Sequence, residues 1–158
     1  MPLDKSWIGR KGGRARIVIE RSAVTNFARA VKDYDPAYSN AEAAKAAGLD
    51  AIPVPPTFLI GAGYWGTFAE LQPADPGVNP QVDVVGQYAK DGGLLLHGEQ
   101  SFTYTRPVKV GDVLDLETEI IDTYEKGTMT FTVTDTTYVD ADTGELVATA
   151  RNNFINRR

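Results

Sequence analysis

Cysteine is absent from the 158 residues, and histidine occurs once, at His97. The first absence excludes disulfides, thiol nucleophiles and thiolate metal sites. The second leaves no cluster of imidazoles, so neither a metal nor any other cofactor is expected. Cations are in deficit: 16 Lys and Arg against 21 Asp and Glu give a formal charge of −5, with no basic run before the last two arginines. A nucleic-acid partner is therefore not expected. No uncharged apolar stretch is long enough to span a bilayer, and Met1–Arg10 lacks the apolar segment of a secretory signal. The expectation is a cytoplasmic protein with no membrane partner. What remains is ordinary for a globular chain, 42% hydrophobic and 23% charged, at a size that favours one domain.

The longest uncharged stretch follows Ile52-Pro53-Val54-Pro55-Pro56 and continues from Thr57 through Phe68 to the first charge at Glu70. A proline in the first turn of a helix loses no hydrogen bond, because the first amides have no partner there. A run that is apolar nearly all round suits a helix surrounded by protein. The stretch Pro53–Gln72 therefore predicts a central buried helix. Gly61, Gly63 and Gly66 each destabilise such a helix by about 1 kcal/mol relative to alanine, which close approach to a surrounding sheet would offset. Gly61-Ala62-Gly63-Tyr64-Trp65-Gly66 also satisfies G-x-G-x-x-G. That fingerprint must follow a strand, and Pro53-Val54-Pro55-Pro56 cannot be a central strand, so nucleotide binding is not expected.

Taken in order, residues 1–13 are polar and glycine-punctuated and predict a flexible arm; residues 14–158 form the single domain. Arg14–Glu20 has the β-branched content of a strand. Ser22 is a candidate cap for a helix bearing Val24, Phe27, Ala28 and Val31. That helix ends near Lys32, because Pro36 disfavours helix at Asp35. Asn40 is placed to cap a short helix over Ala41–Ala47, closed by Gly48. Pro73–Gly93 predicts a long crossing loop. From Leu94 onward the pattern has period two, broken by turn residues at Val110–Asp112, Glu125–Gly127 and Asp140–Gly144, which predicts four antiparallel strands. The threonines of Thr128–Thr137 read as the sheet's outward face, and Asp112, Asp115, Glu117 and Glu119 as a solvated strand face. The class is α+β, an antiparallel sheet wrapped around one long central helix.

Three segments carry a resemblance over roughly residues 14–156. They are Arg106-Pro107-Val108-Lys109-Val110-Gly111-Asp112, Asp33-Tyr34-Asp35-Pro36-Ala37-Tyr38, and Pro55-Pro56-Thr57-Phe58 together with Leu95-Leu96-His97-Gly98-Glu99-Gln100. They resemble the hot-dog fold of the MaoC-like hydratase/dehydratase family, in particular its N-terminal-domain branch. That branch includes the non-catalytic subunits of heterodimeric 3-hydroxyacyl-thioester dehydratases. The resemblance implies a substrate held as a thioester of coenzyme A or acyl carrier protein, and water added or removed across its 2,3 double bond. It also implies a loop Asp-x-Asn-Pro-x-His whose aspartate and histidine serve as base and acid, and a backbone amide at the central helix that receives the developing oxyanion. Here Asp33 and Pro36 match that loop, Asp35 replaces its asparagine, and Tyr38 stands where the histidine belongs. A phenol, with an ordinary pKa near 10, is a poor base at neutral pH. Pro56 falls on the residue whose amide relatives use, and proline has no amide hydrogen.

The candidate catalytic residues are thus Asp33, Tyr38 and His97, each with a plainer reading as a turn, a loop-packing or a structural residue. The candidate substrate-binding residues are Asp35, Pro56, Thr57, Tyr64, Trp65 and Gly98; Arg106, Lys109 and Lys90 are candidates for carrier phosphates. The expected role is a subunit that shapes the acyl channel of an (R)-3-hydroxyacyl-thioester dehydratase or 2-enoyl-thioester hydratase. It would form a homodimer, or a heterodimer with a catalytic hot-dog subunit. A self-sufficient hydratase using Asp33 with His97 or Tyr38 is the alternative, and a non-catalytic module binding acyl thioesters or another hydrophobic ligand is the second.

Overall fold

In the computed structural model, which describes residues 4–90 and 92–157, five strands form one antiparallel sheet. They are β1 (Lys11–Val18), β2 (Leu94–Tyr104), β3 (Val113–Lys126), β4 (Met129–Asp140) and β5 (Leu146–Arg157), in the spatial order β1-β3-β4-β5-β2. The four strands expected after Leu94 are there, and each hydrogen-bonds antiparallel to its neighbours. The helices are α1 (Arg21–Ala30), α2 (Ala41–Ala46), α3 (Ala62–Trp65) and α4 (Pro80–Lys90). The class is α+β, as expected.

Residues 1–3 of the expected arm lie outside the described residues, and from Asp4 onward the chain makes defined contacts. A 3-10 turn spans Lys5–Trp7, Gly9 and Arg10 exchange backbone bonds with Ile120, and the Arg10 guanidinium lies 4.3 Å above the Trp7 ring. Strand pairing to β3 starts at Lys11. The cap of α1 is Glu20 rather than Ser22. Asn40 caps α2 through the amides of Glu42 and Ala43, and Gly48, at φ +83°, ends it.

The predicted long helix is instead a set of short pieces. A 3-10 turn over Phe58–Ile60 leads into the single turn of α3, and a further 3-10 turn covers Ala69–Leu71. Gly61 and Gly66 stand at the breaks. A Cβ on Gly66 would lie 2.5 Å from the Val18 carbonyl oxygen, and one on Gly61 2.8 Å from the Trp65 ring. The anticipated close approach is therefore real at Gly66, but glycine uses it to stop the helix. Phe58, Leu59 and Ala62 still fill the core.

The longest helix lies where the long loop was expected. Asn79 Oδ1 accepts from the Gln81 amide at 2.9 Å, Pro80 takes the first helical position, and Val84 and Tyr88, one turn apart, are buried against the sheet with Ile120. The threonine reading is also reversed. Thr130, Thr132, Thr134 and Thr136 of β4 are buried on the inner face, the side that α4 covers. Phe131 faces the other way and stacks on Tyr124 at 4.8 Å. Threonine can face inward here because α4 brings hydrogen-bond partners: Tyr88 Oη lies 2.6 Å from Thr132 Oγ1, and Gln81 Nε2 donates to Thr134 Oγ1 at 2.9 Å. Thr118 and Thr136 satisfy each other at 2.8 Å.

Candidate active site

After α1 the chain turns through Lys32 at φ +61°. Asp33 Oδ1 accepts from the Asp35 amide at 3.3 Å, and Asp35 Oδ1 accepts from the Ala37 amide at 2.8 Å, capping the 3-10 turn Pro36–Tyr38. Asp33 and Asp35 thus organise this turn, as the plainer reading of Asp33 required, and they also bear on the phenol of Tyr38. Burial pushes the Tyr38 phenol up, and the negative charges of Asp33 and Asp35 push it further. A phenol so placed stays protonated at neutral pH. It can donate a hydrogen bond but cannot take a proton from water.

The second group of candidates lies at the start of the uncharged stretch. Residues Ile52 and Val54 hydrogen-bond to Val110 and Val108, which ties that start to the Arg106–Asp112 corner. Pro55 O accepts from the Phe58 amide at 2.9 Å. Pro56, which brings no amide hydrogen, offers its carbonyl to the Tyr104 hydroxyl at 2.6 Å. Burial pushes the Tyr104 phenol up to about 12. Pro56, Thr57 and His97 line one cavity of about 480 Å³ with Tyr104. His97 stacks on Phe154 at 5.8 Å.

A larger cavity, about 540 Å³, adjoins it through the shared residues Ile60, His97 and Gln100. It occupies the inner face between the broken helix and α4. One wall is aromatic, with Phe27, Tyr64, Trp65 and Phe154; the other is polar, with Gln81, Gln100, Thr136 and Asn152. Trp65 is fixed by stacking on Phe58 at 5.9 Å, whereas Tyr64 is 86% exposed. Neither cavity includes Asp33 or Tyr38 in its lining. The candidates therefore fall into two groups: Asp33, Asp35 and Tyr38 in the loop, and Pro56, Thr57, Tyr64, Trp65 and His97 around the cavities. Gly98 has a backbone reason of its own. It sits at a bulge in β2, and a Cβ there would lie 2.5 Å from Ile155 Cδ1.

Tyr104 and Gln100 were not singled out in the sequence. Both are in phase with Phe102, two residues apart along a strand, and that period was the available signal. The phosphate candidates Arg106 and Lys109 are engaged by carboxylates. Arg106 donates to Asp112 at 2.7 Å and Asp140 at 2.9 Å, closing the corner, and Lys109 pairs with Asp50. Asp112 is thereby a buried structural anion rather than part of a solvated face. Asp115 and Glu119 pair with Arg16 and Lys11 across to β1. Among the described residues no three His, Asp or Glu side chains converge as a metal site would need, and no helix is long and apolar enough to cross a membrane.

Residues 6–150 match the family described as FAS1-like, dehydratase domain region. A UPF0336 protein of Streptomyces coelicolor is 36% identical over 121 residues, 76% of this chain and 73% of the relative. The C-terminally truncated HadBC (3R-hydroxyacyl-ACP dehydratase) complex of Mycobacterium tuberculosis superposes with a TM-score of 0.73 at 25% identity, covering 98% of this chain and 99% of that one. The ChsH1–ChsH2 complex of the same organism shares the fold, with a TM-score of 0.71 at 19% identity over 93% of this chain and 84% of that chain.

Proposed function

The chain belongs to the FAS1-like dehydratase domain family, of MaoC-like hot-dog fold, and from that premise we propose that it is the non-catalytic half of an acyl-thioester hydratase or dehydratase. The observation that carries this is the protonated Tyr38 beside Asp33 and Asp35, at the place where the loop needs an imidazole. Water addition across a 2,3 double bond requires a group that takes a proton near neutral pH and a donor at the thioester oxygen. This chain's loop offers a phenol for the first, and Pro56 removes an amide from the second. A homologous subunit supplies both. The contribution of this chain is the cavity that opens where its inner helix is broken, one wall of which is aromatic enough to hold an acyl chain.

Pairing has a route. Strand β2, 11 residues long, hydrogen-bonds to β5 on one side and is the last strand of the sheet on the other. A long bare edge is a template for a further strand, and a partner's equivalent strand would continue the sheet and close the cavities beside His97.

The test is hydration of crotonyl-CoA by the purified chain alone and after mixing with a hot-dog hydratase subunit bearing an intact Asp-x-Asn-Pro-x-His loop. No turnover alone and turnover with the partner is the expected result; robust turnover by the pure chain overturns the proposal. The self-sufficient reading is kept for one observation, that His97 lines the same cavity as Pro56 and Thr57. It requires the isolated chain to be active and His97→Gln to abolish that activity.

A further inference from the structure

The face of the sheet turned away from α4 carries a row of apolar side chains open to solvent at both ends. Leu96 of β2 is in register with Ile155 of β5, Ile155 with Phe131 of β4, and Phe131 with Tyr124 of β3. Their chain neighbours Thr123, Thr130, Thr132 and Asn156 are buried on the inner face, so strand alternation turns the row outward. Leu96 and Tyr124, at its two ends, are 39% and 40% exposed. The row is bordered by charge of opposite sign on its two sides. Two residues along the strands in one direction stand Arg157 and Lys126, both in register with Met129. The next row in the other direction has Glu99 and Asp122 at its ends, with Asn153 and Val133 between them. Among the described residues none of these four charges has an ion-pair partner, whereas Asp115, Glu119 and Asp135 of the same face each have one.

From this we infer that the outer face is a docking surface for a second copy of the same chain, packed sheet against sheet. The pattern is complementary to itself. A two-fold axis laid along the apolar row keeps each strand over its own counterpart and reverses the strand direction. The row then meets its own copy, Lys126 stands over Asp122 of the partner subunit, and Arg157 stands over the border that holds the partner's Glu99. A two-fold axis laid along the strands would instead set the cationic border over itself, like charge on like. Using one patch on both copies is the isologous contact of a two-fold dimer. Packed sheets sit about 10 Å apart, which brings the Tyr124–Phe131 ring pair against its counterpart. A lipid surface is disfavoured, because Glu99 and Asp122 border the row. The surface is distinct from the free edge of β2, so a chain paired there with a catalytic subunit keeps its outer face for this contact. The inference is independent of the catalytic reading.

The experiment measures the mass of the intact chain by sedimentation over a concentration series. The parent should associate. Lys126→Glu should weaken that association about tenfold, because it sets like charges together at two symmetry-related contacts. Adding Asp122→Lys to the same chain should restore it. Both positions are exposed, so neither change threatens the fold. They lie on β3, with β4 and β5 between them and β2, so a dimer joined at the edge of β2 would not respond. The orientation is read by cross-linking. The chain has no cysteine, so Asp122→Cys and Lys126→Cys each introduce a single thiol. A short bis-maleimide should join the two variants when they are mixed and join neither to itself, since like positions stand about 14 Å apart along the strands. A parent that stays monomeric overturns the inference, as does association that Lys126→Glu leaves unchanged or that the charge swap fails to restore. Cross-linking within either single variant as strong as that between them overturns it too. Turnover with a catalytic partner should not change in any of these variants, because the cavities lie on the inner face.

Discussion

Toward the Arg106 corner the inner face of the sheet carries Leu114, Val147, Ala148 and Ala150 against Phe58 and Leu59. Toward the other end it carries Thr130, Thr132 and Thr134 beneath α4, with Val84, Tyr88 and Ile120 as a small buried apolar cluster. The first end gains stability from close-packed hydrocarbon, which is non-directional and proportional to area. The second depends on hydroxyl and amide groups that must each find a partner. The cavity lies between them and is lined by residues of both kinds. The comparison teaches that close packing and hydrogen-bond satisfaction stabilise different stretches of one face.

Two substitutions can break or sharpen that contrast, and a third probes the opposite face. Phe58→Ala should have the largest effect. Phe58 is 1% exposed and holds both Phe27 and Trp65 by ring contacts. Truncating it should destabilise the fold by about 3–5 kcal/mol, read as a lower urea midpoint, and should also loosen the aromatic wall. Thr118→Val should cost about 1 kcal/mol, because it strands the Thr136 hydroxyl that it now satisfies. The pair Thr118→Val with Thr136→Val should return close to the parent stability. A double variant as damaged as the single one would mean that the polar end is not governed by partner satisfaction.

Asp115→Asn should be the smallest effect, and it tests the sheet's outer face instead. The hydrogen bond from Arg16 holds the Asp115 carboxyl below its ordinary value. Its stabilisation is therefore present above the unfolded pKa of about 4 and is lost as pH falls through the lower folded value. The pair is well exposed, so the loss at pH 7 should be a few tenths of a kcal/mol. Urea midpoints of parent and variant should converge once the solution is more acidic than the folded Asp115. A gap that persists there would show that packing, not charge, carries the contact.

Much of the fold was legible because its signals are local. Period-two alternation between turn residues marked β2 to β5, and Asn40 and Gly48 bounded α2 through side-chain and backbone geometry confined to a few residues. Helix α4 is weakly marked in the sequence although Asn79-Pro80 is a helix-start signal, because its buried residues Val84 and Tyr88 make a thin apolar stripe across a glycine-containing segment. The central segment shows the converse: an apolar run reports burial, and burial is compatible with short turns when Gly61 and Gly66 end them. At the site, Tyr38 and Pro56 could be judged from the sequence because each is an absence of chemistry, of an imidazole and of an amide hydrogen.

The sequence by itself determined which segments are extended and where they turn, since those choices depend on steric preferences of neighbouring residues. It also determined that the loop has a phenol and no imidazole. Only the tertiary structure decided which face of β4 turns inward, because valine, phenylalanine and threonine all suit a strand equally well. The choice was made by the hydrogen-bonding side chains of α4, Tyr88 and Gln81, which meet the threonine hydroxyls from more than 40 residues away in the chain. Hydrogen-bond satisfaction across such a distance is a property of the packed molecule, and it is what gave the cavity its one polar wall.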